Sequence, residues 1–196
     1  MAVTSSNLIL GPAELYVGDF GAVEPTAADI DSAPSDSVWT ATGGTLDGVT
    51  ITINQEFTEL MVDQVSDNIG RRMTKRDFSI ETNLAEPTLQ NLVYVMNNST
   101  DPTENQTDKV RTVEVDNVGP HTELPYKALI LDGQAPNASR RRIIIRKALS
   151  TDNVEFAYTK DEQTVYTAGF CGQWVSSSVK PCVIMDHGAS IEDPTP

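Results

Sequence analysis

The sequence predicts a mainly β protein whose sheet is covered on one face by a single helix. Two observations carry that expectation. From Val49 the chain alternates, with Val49, Ile51 and Ile53 on one face and Thr50, Thr52, Asn54, Glu56 and Thr58 on the other. The same period returns at residues 77–84, where Phe78, Ile80 and Leu84 oppose Asp77, Ser79, Glu81 and Asn83. The pattern then switches: Leu89, Leu92, Val93 and Met96 follow the i, i+3, i+4, i+7 spacing of a helix face. One ribbon face is left polar, and a polar face of that length calls for a use.

Each element follows from local composition. Leu8 to Asp19 reads as an opening strand kinked at Gly11-Pro12, with Leu15, Tyr16 and Val17 as its body. Residues 20–42 are rich in Ala, Asp, Ser and Pro and read as a long surface loop that Trp39 pins to the body. Gly43-Gly44 and Asp47-Gly48 are turn signals. Residues 63–75 read as a polar connection that is too long for a tight turn and therefore projects. Pro87 suits a first helical turn and places Glu86 near the N-cap.

Beyond the helix, residues 97–106 form a polar loop and Val110 to Val118 a short strand. Leu124 to Asp132 and Arg141 to Leu149 read as strands, and Asn153 to Lys160 pairs with Thr164 to Val175. Residues 176–196 read as an extended tail. All of this fits a single domain, 1–196, long enough to bury about 70% of the surface its unfolded chain exposes.

Composition narrows the function. No apolar run approaches the ~20 residues of a membrane helix. Met1 to Leu10 lacks the basic start and apolar length of a signal peptide. The expectation is a protein made in a cytoplasm, with no membrane partner. Cys171 and Cys182 then read as free, partly buried thiols, although spacing alone leaves a disulfide open. Asn98-Ser99-Thr100, Asn105-Gln106-Thr107 and Asn137-Ala138-Ser139 match a glycosylation pattern that has no meaning without secretion.

The net charge of −14 is unevenly spread. Residues 1–70 hold no Lys or Arg; Arg71, Arg72, Lys75 and Arg76 then arrive together. Arg140, Arg141, Arg142, Arg146 and Lys147 form a second cluster. Two readings stand. These cations pair with acids in their own chain, or they meet the acidic N-terminal third of a neighbouring copy, where complementary patches fix register.

Catalytic patterns are missing. His121 and His187 sit in loop-like sequence, no Cys/His spacing fits zinc, and there is no phosphate loop or nucleophile elbow. The expectation is a non-enzyme with no cofactor and no metal. Arg140 to Lys147 resembles a phosphate-binding strand, but an acidic chain offers the wrong field for nucleic acid.

Taken in order, several segments resemble the major tail tube proteins of long-tailed, siphovirus-type bacteriophages. Gly11 to Gly18 looks like that family's opening strand, and Thr45 to Ile51 like the start of its long ribbon. Phe78-Ser79-Ile80-Glu81-Thr82-Asn83-Leu84-Ala85-Glu86-Pro87-Thr88-Leu89-Gln90-Asn91-Leu92 is similar to its strand-into-helix unit. Arg142 to Leu149 and Tyr158 to Tyr166 resemble its late strands and hairpin. Residues 169–174 depart from the pattern.

The resemblance implies a β-sandwich or half-barrel flanked by one helix, closing into a ring β-barrel on oligomerisation. It implies hexameric rings of this chain stacked into a virion tail tube, with terminator, tape-measure and distal tail proteins as further partners. Assembly would take place in the host cytoplasm, and DNA would pass through the lumen without specific binding. Thr50, Thr52, Asn54, Glu56, Asp77, Ser79, Glu81 and Asn83 become lumen-facing candidates. Arg71, Arg72, Lys75, Arg76, Arg140, Arg141, Arg142, Arg146, Lys147, Asp63 and Asp67 become subunit-interface candidates. A secretion-system inner tube shares the architecture. A different class, a receptor- or carbohydrate-binding module, needs an exposed aromatic platform, whereas Trp39 and Trp174 read as anchors.

Overall fold

The computed structural model describes residues 8–187; the chain start at residues 1–7 and the end of the expected tail, residues 188–196, lie outside the described residues. One antiparallel sheet organises the rest. Its strands are β1 (Glu14–Asp19), β2 (Trp39–Ala41), β3 (Thr45–Val62), β4 (Val65–Leu84), β7 (Lys127–Gln134), β8 (Arg140–Ser150), β9 (Tyr166–Gly172) and β10 (Cys182–Asp186). The order is β2-β1-β7-β8-β9-β4-β3, with β10 added to β8. Helix α1 (Leu89–Val95) follows β4, and β5 (Thr103–Asn105) with β6 (Val110–Thr112) makes a separate small hairpin. The mainly β expectation holds.

Strand β8 joins the halves. One of its edges pairs with β7. The other is shared, with β10 taking Arg141 to Ile145 and β9 taking Ala148 to Ser150. Burial follows the strand period. Leu15, Val17, Leu129, Leu131 and Ile145 join Ile80, Leu84, Phe170 and the α1 residues Val93, Tyr94 and Val95 in the main core. Their sequence neighbours Tyr16, Ala128, Ile130 and Ile144 point the other way and pack with Trp39. The β1–β7–β8 half is thus buried on both faces, by α1 and by the 20–42 segment. Only the β9–β4–β3 half leaves a polar face open.

Residues 20–42 are held tightly for a loop. The Trp39 ring is buried and its Nε1 donates to the Val23 carbonyl at 3.0 Å, so the expected pin is present. Gly18 makes room for it, since a Cβ there would lie 2.8 Å from the ring. Arg142 supplies a second pin. Its guanidinium is fully buried, donates twice to Asp132 at 2.6 Å, and reaches the carbonyls of Asp29 (3.2 Å) and Ser32 (2.7 Å).

Several expectations need correction. Residues 63–75 are not a loop: a tight turn at Asp63-Gln64 joins β3 to β4, which is already a strand at Val65. Pairing with β3 along one edge makes it a strand whatever its side chains are. Asp47-Gly48 is not a turn either. Both residues have positive φ, 63° and 81°, and form a bulge inside β3 where the register shifts. Strand β1 begins at Glu14, not Leu8, and Val110 to Val118 is strand only to Thr112. Residues 153–160 form no strand; β9 pairs with β4 and β8 instead. Within the expected tail, Cys182 to Asp186 is a strand, because its backbone completes the open edge of β8.

The N-cap of α1 is Thr88, two residues after Glu86. Its Oγ1 accepts from the Asn91 amide at 3.2 Å, and Pro87 lies just outside the helix. The buried face is centred on Val93, Tyr94 and Val95, with Leu89, Leu92 and Met96 half-buried around it. Asn91 is buried too, and its Nδ2 donates to the Thr42 and Glu86 carbonyls at 2.8 Å each, which fixes the helix to the β2–β3 link. Thr88→Ala should therefore cost about 1 kcal/mol in a urea unfolding curve, with the slope unchanged.

Candidate assembly surface

The β3–β4 hairpin leaves the body of the domain as an arm. Strand β9 stops pairing with β4 at Phe78, opposite Gly172. From there to the turn only β3 and β4 remain, an extension of roughly 40 Å at ~3.3 Å per residue. Among the described residues no strand pairs with the outer edge of β3, nor with the outer edge of β4 from Val65 to Asp77. Both edges present free backbone donors and acceptors, which is a template for adding strands.

Register decides which side chains share a face. Thr50 lies opposite Glu81, Thr52 opposite Ser79, Asn54 opposite Asp77 and Glu56 opposite Lys75. Seven of the eight lumen-facing candidates thus form one cross-strand array, and Asn83 extends it, its Oδ1 accepting from Thr167 Oγ1 on β9 at 3.3 Å. The array carries Glu56, Asp77 and Glu81 against Lys75, whose amine bonds Asp77 at 2.5 Å and lies 3.9 Å from Glu56. The Asp77 hydrogen bond raises the Lys75 ammonium pKa, so this lysine stays charged. The array is net acidic.

The opposite face changes character along the arm. At the base Val49, Ile51 and Phe78 pack on the main core. Farther out the same face carries Ile53, Phe57, Met61, Ile69 and Met73, which are 43–68% exposed. A bulge between Glu56 and Phe57 keeps Phe57 across from Met73, and Glu59 meets Arg71 between the apolar pairs, with a salt bridge of 2.9 Å. An exposed apolar stripe beside two open edges marks an interaction surface.

The cationic candidates divide sharply. Arg71 and Lys75 make the exposed arm pairs described above, and Arg76 stacks over the Phe78 ring at 5.3 Å. Arg72 and Arg76 meet no carboxylate among the described residues. Asp63 lies in the turn and Asp67 in β4, both exposed. These residues remain available to a neighbouring copy.

The second cluster does not fit the inter-subunit reading. Arg140 reaches Glu14 at 3.6 Å, Asp132 at 3.5 Å and the Asp31 carbonyl at 3.1 Å. Arg142 is inaccessible, and Arg146 holds Glu24. Residues 140, 142 and 146 share one face of β8, so three guanidiniums grip the acidic 20–42 segment. Arg141 makes a two-pronged pair with Asp186 on β10 at 2.6 Å. Lys147 lies over the Tyr126 and Phe20 rings at 4.0 and 5.4 Å. Charge clustering in the sequence located these cations but not their partners, which range from Asp132, ten positions from Arg142, to Glu24, 122 positions from Arg146.

These pairs give the chain an acid-sensitive side. The Arg141 hydrogen bond holds the Asp186 carboxyl below its ordinary range, and bonds from the Thr26 and Ser99 hydroxyls do the same for Asp29 and Asp116. A depressed folded pKa contributes stability above the unfolded value of about 3.9 and loses it as pH falls through the folded one. Urea midpoints should therefore drop below about pH 4, with a shallower drop in Asp186→Asn.

One further residue differs from expectation. Trp174 is no anchor: it is 71% exposed beside the arm base. The polar run Val175-Ser176-Ser177-Ser178 after it was the available signal. Cys171 and Cys182 are free thiols, and burial pushes the Cys182 pKa up. His187 Nδ1 lies 3.2 Å from Asp31, and no group of three or more His, Cys, Asp or Glu among the described residues could hold a metal. No helix among them is long and apolar enough to cross a membrane. No protein-family model and no curated protein sequence matches this chain.

Proposed function

We propose that this chain is a non-catalytic structural subunit that polymerises with copies of itself into stacked rings forming a hollow tube, as in the tails of long-tailed bacteriophages. The observation that carries the reading is the arm: two open edges and an exposed apolar stripe on a hairpin that adds little to its own core. An isolated two-stranded ribbon of this length is marginal in water and gains stability by joining other strands. Ring closure removes the edges, which would otherwise nucleate disordered aggregation. Six copies per ring, a sandwich or half-barrel subunit and a continuous inner barrel are what the family resemblance adds.

In such a ring the acidic array around Glu56, Asp77 and Glu81 lines the lumen. A negative wall repels phosphate, so DNA slides past it instead of binding, the inverse of counterion-release association. The chain would work in a virion tail after assembly in a host cytoplasm, joined end to end with other tail proteins. Electron microscopy of the purified chain should show rings or tubes of constant bore.

A carbohydrate-binding module is the second reading, favoured by the exposed rings of Trp174 (71%) and Tyr158 (81%). They lie on separate segments, and Tyr158 stacks edge-on against Phe156 with centroids 6.1 Å apart. Glycan binding by a monomer that forms no rings would select that reading instead.

A further inference from the structure

A groove of about 430 Å³ lies at the base of the arm, between β4 from Met73 to Phe78 and the segment 173–181. Trp174 and Phe78 supply aromatic walls, and Lys75, Arg76 and Lys180 supply cations. Lys75 is already bonded to Asp77, but Arg76 and Lys180 meet no carboxylate among the described residues. One wall is also backbone, since β4 has no outer neighbour there. The groove therefore offers free cations, aromatic surface and an open strand edge together.

The far end of the same arm has the complementary chemistry. Asp63 and Asp67 carry negative charge with no basic partner among the described residues. Val62 and Val65 flank the turn and are 45% and 46% exposed. A copy cannot satisfy its own groove, because ten residues of extended β4 separate Val65 from Lys75, roughly 33 Å of strand.

We propose that the groove receives the arm tip of a second copy of this chain. Asp63 and Asp67 meet Arg76 and Lys180, Val62 and Val65 pack on Trp174 and Phe78, and the tip backbone lies along the open edge of β4. Tip and groove are different surfaces, so the contact is heterologous and each joined copy still presents one free tip and one free groove. Growth is thus polar, with distinguishable ends. This rests on the self-assembly reading and specifies its joint.

Charge reversal tests the joint, read by sedimentation over a concentration series at low salt. Arg76→Glu with Lys180→Glu, and separately Asp63→Lys with Asp67→Lys, should each raise the concentration needed for assembly by roughly tenfold or more. All four residues are exposed, so the circular dichroism melts should match the wild type. The two sets combined in one chain should restore assembly to within about threefold. A chain carrying Asp63→Cys mixed with one carrying Ser177→Cys should form an inter-chain disulfide, with the wild type controlling for Cys171 and Cys182. Because Trp39 is already buried, a blue shift of fluorescence on assembly reports Trp174. Assembly unchanged by either reversal, or no mixed disulfide, would overturn the groove while leaving self-assembly standing. A wild-type chain that stays monomeric removes both.

Discussion

Arg142→Ala is expected to lower the unfolding free energy by roughly 3–5 kcal/mol, because it leaves the Asp132 carboxylate buried with its main partner gone. Both side chains are inaccessible, and the guanidinium also holds the Asp29 and Ser32 carbonyls. Asp132→Ala should cost a similar amount, having stranded the guanidinium instead. Removing both should cost clearly less than the sum, since neither charge is then left alone. Denaturant unfolding of the two single variants and the double variant checks this. A surface pair such as Arg71–Glu59 behaves differently: it is exposed on both sides, and Arg71→Ala should change stability by less than about 1 kcal/mol. The contrast separates an arginine that builds the subunit from one that is free for other contacts.

Shortening the arm should do the opposite: abolish assembly and leave the subunit folded. Replacing residues 57–74 with Asn-Gly joins Glu56 to Lys75, which already face each other, through a turn that suits a two-residue hairpin. No residue removed belongs to the buried cores. The melting temperature should stay within a few degrees of the wild type, while rings and tubes disappear at any reachable concentration. The milder change Phe57→Lys with Met73→Glu keeps the hairpin and removes only the apolar stripe. It should weaken assembly by at least tenfold, as burial of two large apolar side chains is lost from the contact. Loss of folding in the shortened chain would mean that the arm is a structural strut.

Periodicity made the base of the arm legible but hid its far end. Where one face is buried, as at Phe78, Ile80 and Leu84, alternation is clean and the strand can be read directly. Past Arg76 neither face packs on the body, so no burial constrains the pattern and Val65 to Lys75 resembles a polar loop. The backbone is nevertheless strand, paired with β3 at Val65, Gly70 to Met73 and Lys75. For the second cation cluster the sequence leaves two readings, and the structure pairs it within its own chain; composition locates charge but not its partners, which here are Asp132 on β7, Asp186 on β10 and Glu24 in the 20–42 segment. Strand β10 was hidden likewise, since Cys182 to Asp186 becomes a strand only by completing an edge of β8. The polar face at the base of the ribbon follows the alternation at Thr50 to Glu56 and Asp77 to Asn83, whereas Lys75, the partner of Glu56, falls within the expected loop.

Sedimentation velocity of the full chain over a wide concentration range, with electron micrographs of the same samples, tests self-assembly most directly. The account predicts a cooperative passage from monomer to rings and then to tubes of uniform diameter, weakened by salt. A single monomeric boundary at every concentration, up to the millimolar range and at low salt, would contradict it.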